Sequence, residues 1–219
     1  MLFRSPDPIW TSYYGGSVLD QIFATTVDAS GNIYIAGATR STNGIATAGT
    51  HKSVFTGGTA NTDDVFIAKF SPAGQRLWGT YYRGTDTERP YSIVTDGASV
   101  YISGTTSSTT GTGITFGTIH QAAYGGTIDG FIARFNASNG TGVWGTYYGG
   151  TGTDQFLGLS LTPDGGIVMS GSTNSDNTSN RIATPGTMQT TYNGAPDNDG
   201  MVVKFNAAGV RQWGTYIRF

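Results

Sequence analysis

His51 and His120 are the only imidazoles in the chain, and they fall at comparable places in two copies of one phrase, GTHKSVFTGG and GTIHQAAYGG. The third copy, GTMQTTYNG, carries Met188 and Gln189 there. Two imidazoles could begin a metal site, but zinc needs further protein ligands that the sequence does not assure. They read as surface loop histidines. Asp20, Glu88 and Asp154 each follow a tryptophan by ten residues and could be catalytic or calcium-binding carboxylates. Their equivalence within a repeat argues instead that each accepts backbone N–H groups in its own unit. Asp63-Asp64 and Asp197-Asn198-Asp199-Gly200 are oxygen-rich and could hold Ca²⁺, yet they lack EF-hand spacing, and turn capping explains them equally. Lys69, Arg134 and Lys204 recur at one position. They could gather an anion, but stems running past a sheet edge account for them more simply. No Gly-x-Ser-x-Gly elbow, phosphate loop or His-Glu-x-x-His phrase is present. No residue is assigned to catalysis, to a cofactor or to a metal, with Ca²⁺ left open at the acidic clusters.

Composition narrows the class. The net charge is −2, the 12 basic residues are scattered, and the chain lacks the electrostatic footprint of a nucleic-acid binder. No apolar run reaches the length of a membrane-spanning helix. The absence of cysteine removes disulfides, thiol catalysis and thiolate-held metals. The opening Met-Leu-Phe-Arg-Ser-Pro has no hydrophobic stretch after its basic residue and does not read as a signal peptide. The sequons at Asn136, Asn139 and Asn177 say little without a host. Thirty-four glycines would fit disorder, but the many Tyr, Phe, Ile and Val offer enough apolar surface to offset chain entropy.

The elements that must position these side chains are repeated. Trp10, Trp78, Trp144 and Trp213 are the only tryptophans, and they open the phrases WTSYYGG, WGTYYRG, WGTYYGG and WGTYIRF. Between them lie paired apolar runs and then DVFIAKF, DGFIARF or DGMVVKF. The expectation is an all-β chain of three four-stranded, propeller-like blades of about 67 residues each, with one extra terminal Trp strand. The boundaries are a lead-in at 1–9, units at 10–77, 78–143 and 144–212, and a strand at 213–219 starting a fourth unit. In each unit the Trp strand comes first. The second and third strands flank turns at Asp28–Asn32, Asp96–Ser99 or Asp164–Gly166, and the Phe-Ile-Ala-Lys-Phe type run is fourth. In Ile33–Gly37 both faces are apolar or small, which predicts a sheet covered on both sides. Trp78, Tyr81, Trp144, Tyr147, Ile33, Ile35, Phe66 and Phe131 are expected in the core. The tryptophans and tyrosines suit sugar stacking too, but their strict repetition favours packing between blades. Polar segments of some twenty-five residues, near 38–63, 105–128 and 172–198, join the third and fourth strands. Phe55, Tyr124 and Tyr192 are expected to pin these loops to their blades.

At these residues the chain resembles the SBBP repeat, a bacterial β-propeller repeat. Trp10, Tyr13, Gly15, Gly16, Asp20, Asp28, Gly31, Asn32, Tyr34, Gly37, Thr39, Asp64, Phe66 and Lys69 carry the likeness in the first unit. The second unit departs at Arg83, Glu88 and a shortened turn, the third at Gly166 and Val168. The resemblance implies an architecture and an extracellular or cell-surface place in a bacterium, with structural or adhesive roles.

Three units are few for a closed propeller. The expectation is a non-catalytic module that self-associates into a filament or ring, with copies of itself as partner, through Trp10, Tyr13, Tyr14, Trp213, Tyr216 and Phe219. A terminal strand adding to a neighbour's sheet edge is one route. The alternatives are a lectin-like propeller binding surface glycans and a fragment of a larger secreted protein.

Overall fold

The computed structural model describes residues 10–55, 62–194 and 197–218. Every sheet is a four-stranded antiparallel meander, and among the described residues there is no α-helix, only a 3₁₀ turn at Thr178–Asn180. The first sheet holds β1 (Asp20–Val27), β2 (Ile33–Thr39), β3 (Asp64–Phe70) and β4 (Arg76–Tyr82) in spatial order. The second holds β5 (Glu88–Thr95), β6 (Ser99–Thr106), β7 (Asp129–Asn136) and β8 (Gly142–Tyr148). The third holds β9 (Asp154–Leu161), β10 (Ile167–Thr173), β11 (Asp199–Phe205) and β12 (Arg211–Ile217).

The sheets are out of phase with the repeat as expected from sequence. Each Trp strand closes the sheet of the residues before it: Lys69 pairs with Trp78, Arg134 with Trp144 and Lys204 with Trp213. The reason is local. Phe70 is joined to Arg76 by a tight turn, with Ser71 N–H donating to Gln75 O at 2.8 Å and Gly74 N–H to Ser71 O at 2.9 Å, and strands joined so tightly pair. Trp213 therefore completes the third sheet and starts no fourth unit, and Trp10–Gly16 belongs to no strand. The surplus Trp segment is the first one.

The sheets stack face to face. β5 packs on β1 and β2, and β9 packs on β5 and β6, while β9 and β1 make no comparable contact among the described residues. One core lies between the first two sheets, where Tyr34, Ile67 and Trp78 meet Val100, Phe131, Phe135 and Tyr147. A second lies between the next two, where Tyr101, Ile132 and Trp144 meet Met169, Met201 and Phe205. The outward face of the first sheet, with Ile35, Phe66 and Phe70, is covered by the chain's own Tyr14, Ile45 and Phe55. Of the expected core, Trp78, Tyr81, Trp144, Tyr147, Ile35, Phe66 and Phe131 are buried and Ile33 is half-buried. Each such side chain contributes roughly 1.5–3 kcal/mol.

The long connections lie along the outer sheet edges. Thr47 N–H donates to Gly79 O and Tyr81 N–H to Lys52 O beside β4. Tyr147 N–H donates to Gln121 O beside β8, and Tyr216 N–H to Gln189 O beside β12. Thr80, Thr146 and Thr215 reinforce this, each Oγ1 accepting the N–H of Lys52, Gln121 or Gln189 at 2.8–3.0 Å. Phe55, Tyr124 and Tyr192 stand 5.4, 6.0 and 6.2 Å from Tyr81, Tyr147 and Tyr216, which is the pinning the sequence suggests. These edges already have partners, so strand addition to β4, β8 or β12 would have to strip a loop away. On the opposite side, bulges in β1, β5 and β9 turn out Phe23, Tyr91 and Leu157, and Phe23 and Leu157 stay exposed.

Candidate functional site

The feature built most carefully is the junction between neighbouring sheets. Trp78 Nε1 donates to Ala137 O of the next sheet at 3.0 Å, and Trp144 Nε1 to Ala207 O at 3.0 Å. The cation one strand over aims at the same carbonyls: Lys69 Nζ reaches Ala137 O at 3.1 Å and Arg134 reaches Ala207 O at 2.8 Å. Lys69 and Arg134 thus point at backbone carbonyls of the next sheet, and Lys204 pairs with Asp164. The indoles lie on turn glycines: a Cβ at Gly140 or Gly209 would fall 2.8 or 2.9 Å from Trp78 or Trp144, and both glycines have positive φ. Tyr82 OH and Tyr148 OH complete the lock on Ile114 O and Ile182 O, at 3.0 and 2.5 Å.

The ends of the stack differ. On the first sheet, Trp10 Nε1 donates to Pro72 O at 2.9 Å over Gly74, and Tyr14 OH to Ile45 O at 2.6 Å. Trp10 and Tyr14 therefore take on the first sheet the place that Trp78 and Tyr82 take on the second. Trp213, on the third sheet, is half-buried, and among the described residues no turn docks on it and its Nε1 has no partner. Its neighbour Lys204 turns back to Asp164 at 2.6 Å instead. Tyr13 is fully exposed, whereas Tyr216 is buried and donates to Ser175 O at 2.9 Å, which leaves it no surface for a partner. Phe219 lies outside the described residues.

The repeated acids anchor the strand ends. Asp20, Glu88 and Asp154 each accept the N–H four residues back, from Gly16, Gly84 and Gly150, at 2.8 Å. Each also takes hydroxyls from Thr39 and Ser41, Thr106 and Ser108, or Thr173 and Ser175. A second series, Asp64, Asp129 and Asp199, begins β3, β7 and β11 and is buried as well. Burial comes first in pushing Asp64 and Asp129 up to about 7. Against Asp64 and Glu88 the first junction sets the buried Arg83, its Nε 3.4 Å from Asp64 Oδ2, with Lys52 donating to Arg83 O at 2.9 Å. Asp63 takes Arg40 at 2.6 Å and Arg89 at 2.7 Å; burial raises its pKa, but these bonds outweigh that and hold it below the usual range. Guanidinium groups thus occupy the first cluster read for Ca²⁺. In the other, Asp199 takes Asn193 N–H at 3.0 Å, and Arg218 stands 3.5 Å away.

The histidines are half-buried against aromatic rings rather than open on surface loops. His51 packs against Phe116 at 4.3 Å, and His120 stacks on Tyr148 at 5.6 Å. Burial lowers both to about 4, so they are neutral rings filling the junctions at pH 7. Sequence position alone does not reveal this, because the rings they meet come from other units. No group of three or more metal-ligating side chains occurs among the described residues. Among the described residues no helix is long and apolar enough to cross a membrane.

No protein-family model matches the chain, and no curated protein does. Among solved structures it is similar to a protein of unknown function from Bacteroides caccae, at 12% identity and a TM-score of 0.37. The match covers 90% of this chain and 68% of that one.

Proposed function

We propose that the chain is a non-catalytic, propeller-like structural module of a bacterial surface or secreted protein, of the kind the SBBP resemblance implies, and that it associates head to tail with further copies. One observation carries the reading: Trp213 stands at the position that Trp78 and Trp144 use to dock neighbouring sheets, and among the described residues no sheet docks on it. A face used twice between described sheets, and uncovered a third time among the described residues, fits another copy of the same surface. The contact is face to face rather than by strand addition, because the loops already bond to the outer edges. The matching surface on the first sheet holds Trp10 over Gly74, so a second copy brings Trp213 there by exchanging it for Trp10. Such a contact is heterologous and builds a ring or a filament. Sedimentation velocity tests it: Trp213→Ala abolishes the association and Trp10→Ala strengthens it. Identical monomeric behaviour of wild type and both variants refutes it.

One observation favours a glycan-binding role as a second reading. A shallow cleft of about 480 Å³ is lined by Asp176, Asn177, Thr190, Thr191 and Tyr192, an aromatic face beside amide and hydroxyl groups. Saturable glycan binding lost in Tyr192→Ala would support it. The junction tryptophans offer sugars nothing, since Trp78 and Trp144 are buried.

A further inference from the structure

The second junction repeats the acids of the first without its cations. Arg83, Gly149 and Arg218 are equivalent residues of the Trp phrases, as Lys52 and Gln121 are of the loops. In the first junction Arg83 and Lys52 face Asp64 and Glu88. In the second, Asp129 and Asp154 are both fully buried and meet Gly149 and Gln121 instead. Their oxygens converge: a Cβ on Gly149 would lie 2.6 Å from Asp154 Oδ2 and 2.8 Å from Asp129 Oδ1. Asp129 Oδ2 accepts Gln121 Nε2 at 3.0 Å and Gly125 N–H at 2.8 Å, but Oδ1 is buried with no hydrogen-bond partner and points at this spot. Gln121 Oε1 is held beside it, accepting Gly149 N–H at 3.0 Å. Arg181 is a cation whose charge acts on Asp129, and no ion pair joins it to either acid among the described residues.

A buried carboxylate oxygen without a partner, such as Asp129 Oδ1, is costly, and a second buried acid beside it, Asp154, adds to the cost even though hydrogen bonds satisfy both of its oxygens. The first junction sets a guanidinium against its acids, Arg83 Nε standing 3.4 Å from Asp64 Oδ2, although neither Asp64 oxygen accepts a hydrogen bond. We infer that the second offsets its buried charge with a bound cation between Asp129 and Asp154, in the place that Arg83 fills in the first. The donors on offer are all oxygen, so the site takes a hard ion, and two negative charges favour a divalent one. Ca²⁺, tolerant of irregular oxygen cages, suits it better than Mg²⁺, which keeps its water and demands an octahedron. The site is internal to one chain and does not depend on the association proposed above.

Calorimetric titration of the EDTA-treated protein with CaCl₂, together with the melting temperature at each Ca²⁺ concentration, tests the inference. One saturable site per chain and a melting temperature that climbs with Ca²⁺ are expected. Asp129→Asn should weaken binding by more than the ~10–100-fold lost on removing an outer-sphere partner. Gln121→Lys supplies the ammonium that Lys52 gives the first junction, so it should melt higher than wild type without Ca²⁺ and no longer respond to it. That variant is expected to stabilise, so its result stands even where Asp129→Asn folds poorly. Absence of saturable Ca²⁺ binding by wild type, or a Ca²⁺ response unchanged in Gln121→Lys, overturns the inference; in the first case a proton shared by the two acids takes the ion's place.

Discussion

Trp144 and Trp213 occupy the same position in successive sheets, yet truncating them should have very different effects. Trp144 is 1% exposed, stacks on Phe205 at a ring distance of 6.4 Å and donates to Ala207 O. Trp144→Ala opens a cavity between two sheets, for which ~3–5 kcal/mol is typical, while Arg134 still donates to Ala207 O at 2.8 Å. For a chain of this size that is a fall of roughly 6–20 °C in melting temperature. Trp213 has no docking turn and no hydrogen-bond partner among the described residues, so Trp213→Ala should cost under ~1 kcal/mol in the monomer. Urea unfolding at low protein concentration, where association does not contribute, measures both. Equal losses would refute the reasoning, since the difference between a docked and an undocked tryptophan would then not exist. A Trp144→Ala loss below about 1.5 kcal/mol would refute the junction as the main source of stability.

Gly140→Ala should cost at least ~1 kcal/mol in the same assay, because a Cβ meets the Trp78 indole and the backbone has positive φ; a neutral result would mean the turn shifts freely. Thr146→Val removes the oxygen that accepts His120 and Gln121 N–H at 3.1 and 2.8 Å, and hydrogen exchange at those two amides should accelerate while that of β6 and β7 stays slow. His120 is held near 4 when folded and titrates near 6.5 when unfolded, so the unfolded chain binds more protons between those values. Its contribution is present above pH 6.5 and is lost as pH falls toward 4. His120→Phe should therefore gain on wild type progressively over that window, as read from urea midpoints at pH 7.5 and 4.5; a pH-independent difference would contradict the burial argument.

Local chemistry was readable from the residues. The turn at Asp28–Asn32 is visible because Asp28, Gly31 and Asn32 are turn residues, and Asp28 Oδ1 does accept Ser30 and Asn32 N–H at 2.9 Å. The anchoring of Asp20, Glu88 and Asp154 to backbone N–H follows from their recurrence. The phase of the sheets does not, since a repeat can be cut anywhere along its period. Only the pairing of Lys69 with Trp78 shows that the Trp strand closes a sheet. The burial of His51 and His120 depends on Phe116 and Tyr148, which reach them from a neighbouring sheet. The unpartnered Asp129 Oδ1 was hidden for the same kind of reason. Gly149 looks like the regular residue of the phrase and Arg83 like the departure, until their shared surroundings show which acids have a cation beside them.

The central claim is that the bare face at Trp213 is a docking surface for a second copy. Sedimentation velocity over a concentration series measures it directly. Wild type should move from a 22.9 kDa species to larger ones as concentration rises, and Trp213→Ala should remain at 22.9 kDa throughout. A wild-type chain that stays at 22.9 kDa across the series, or a Trp213→Ala variant that associates equally well, would contradict it.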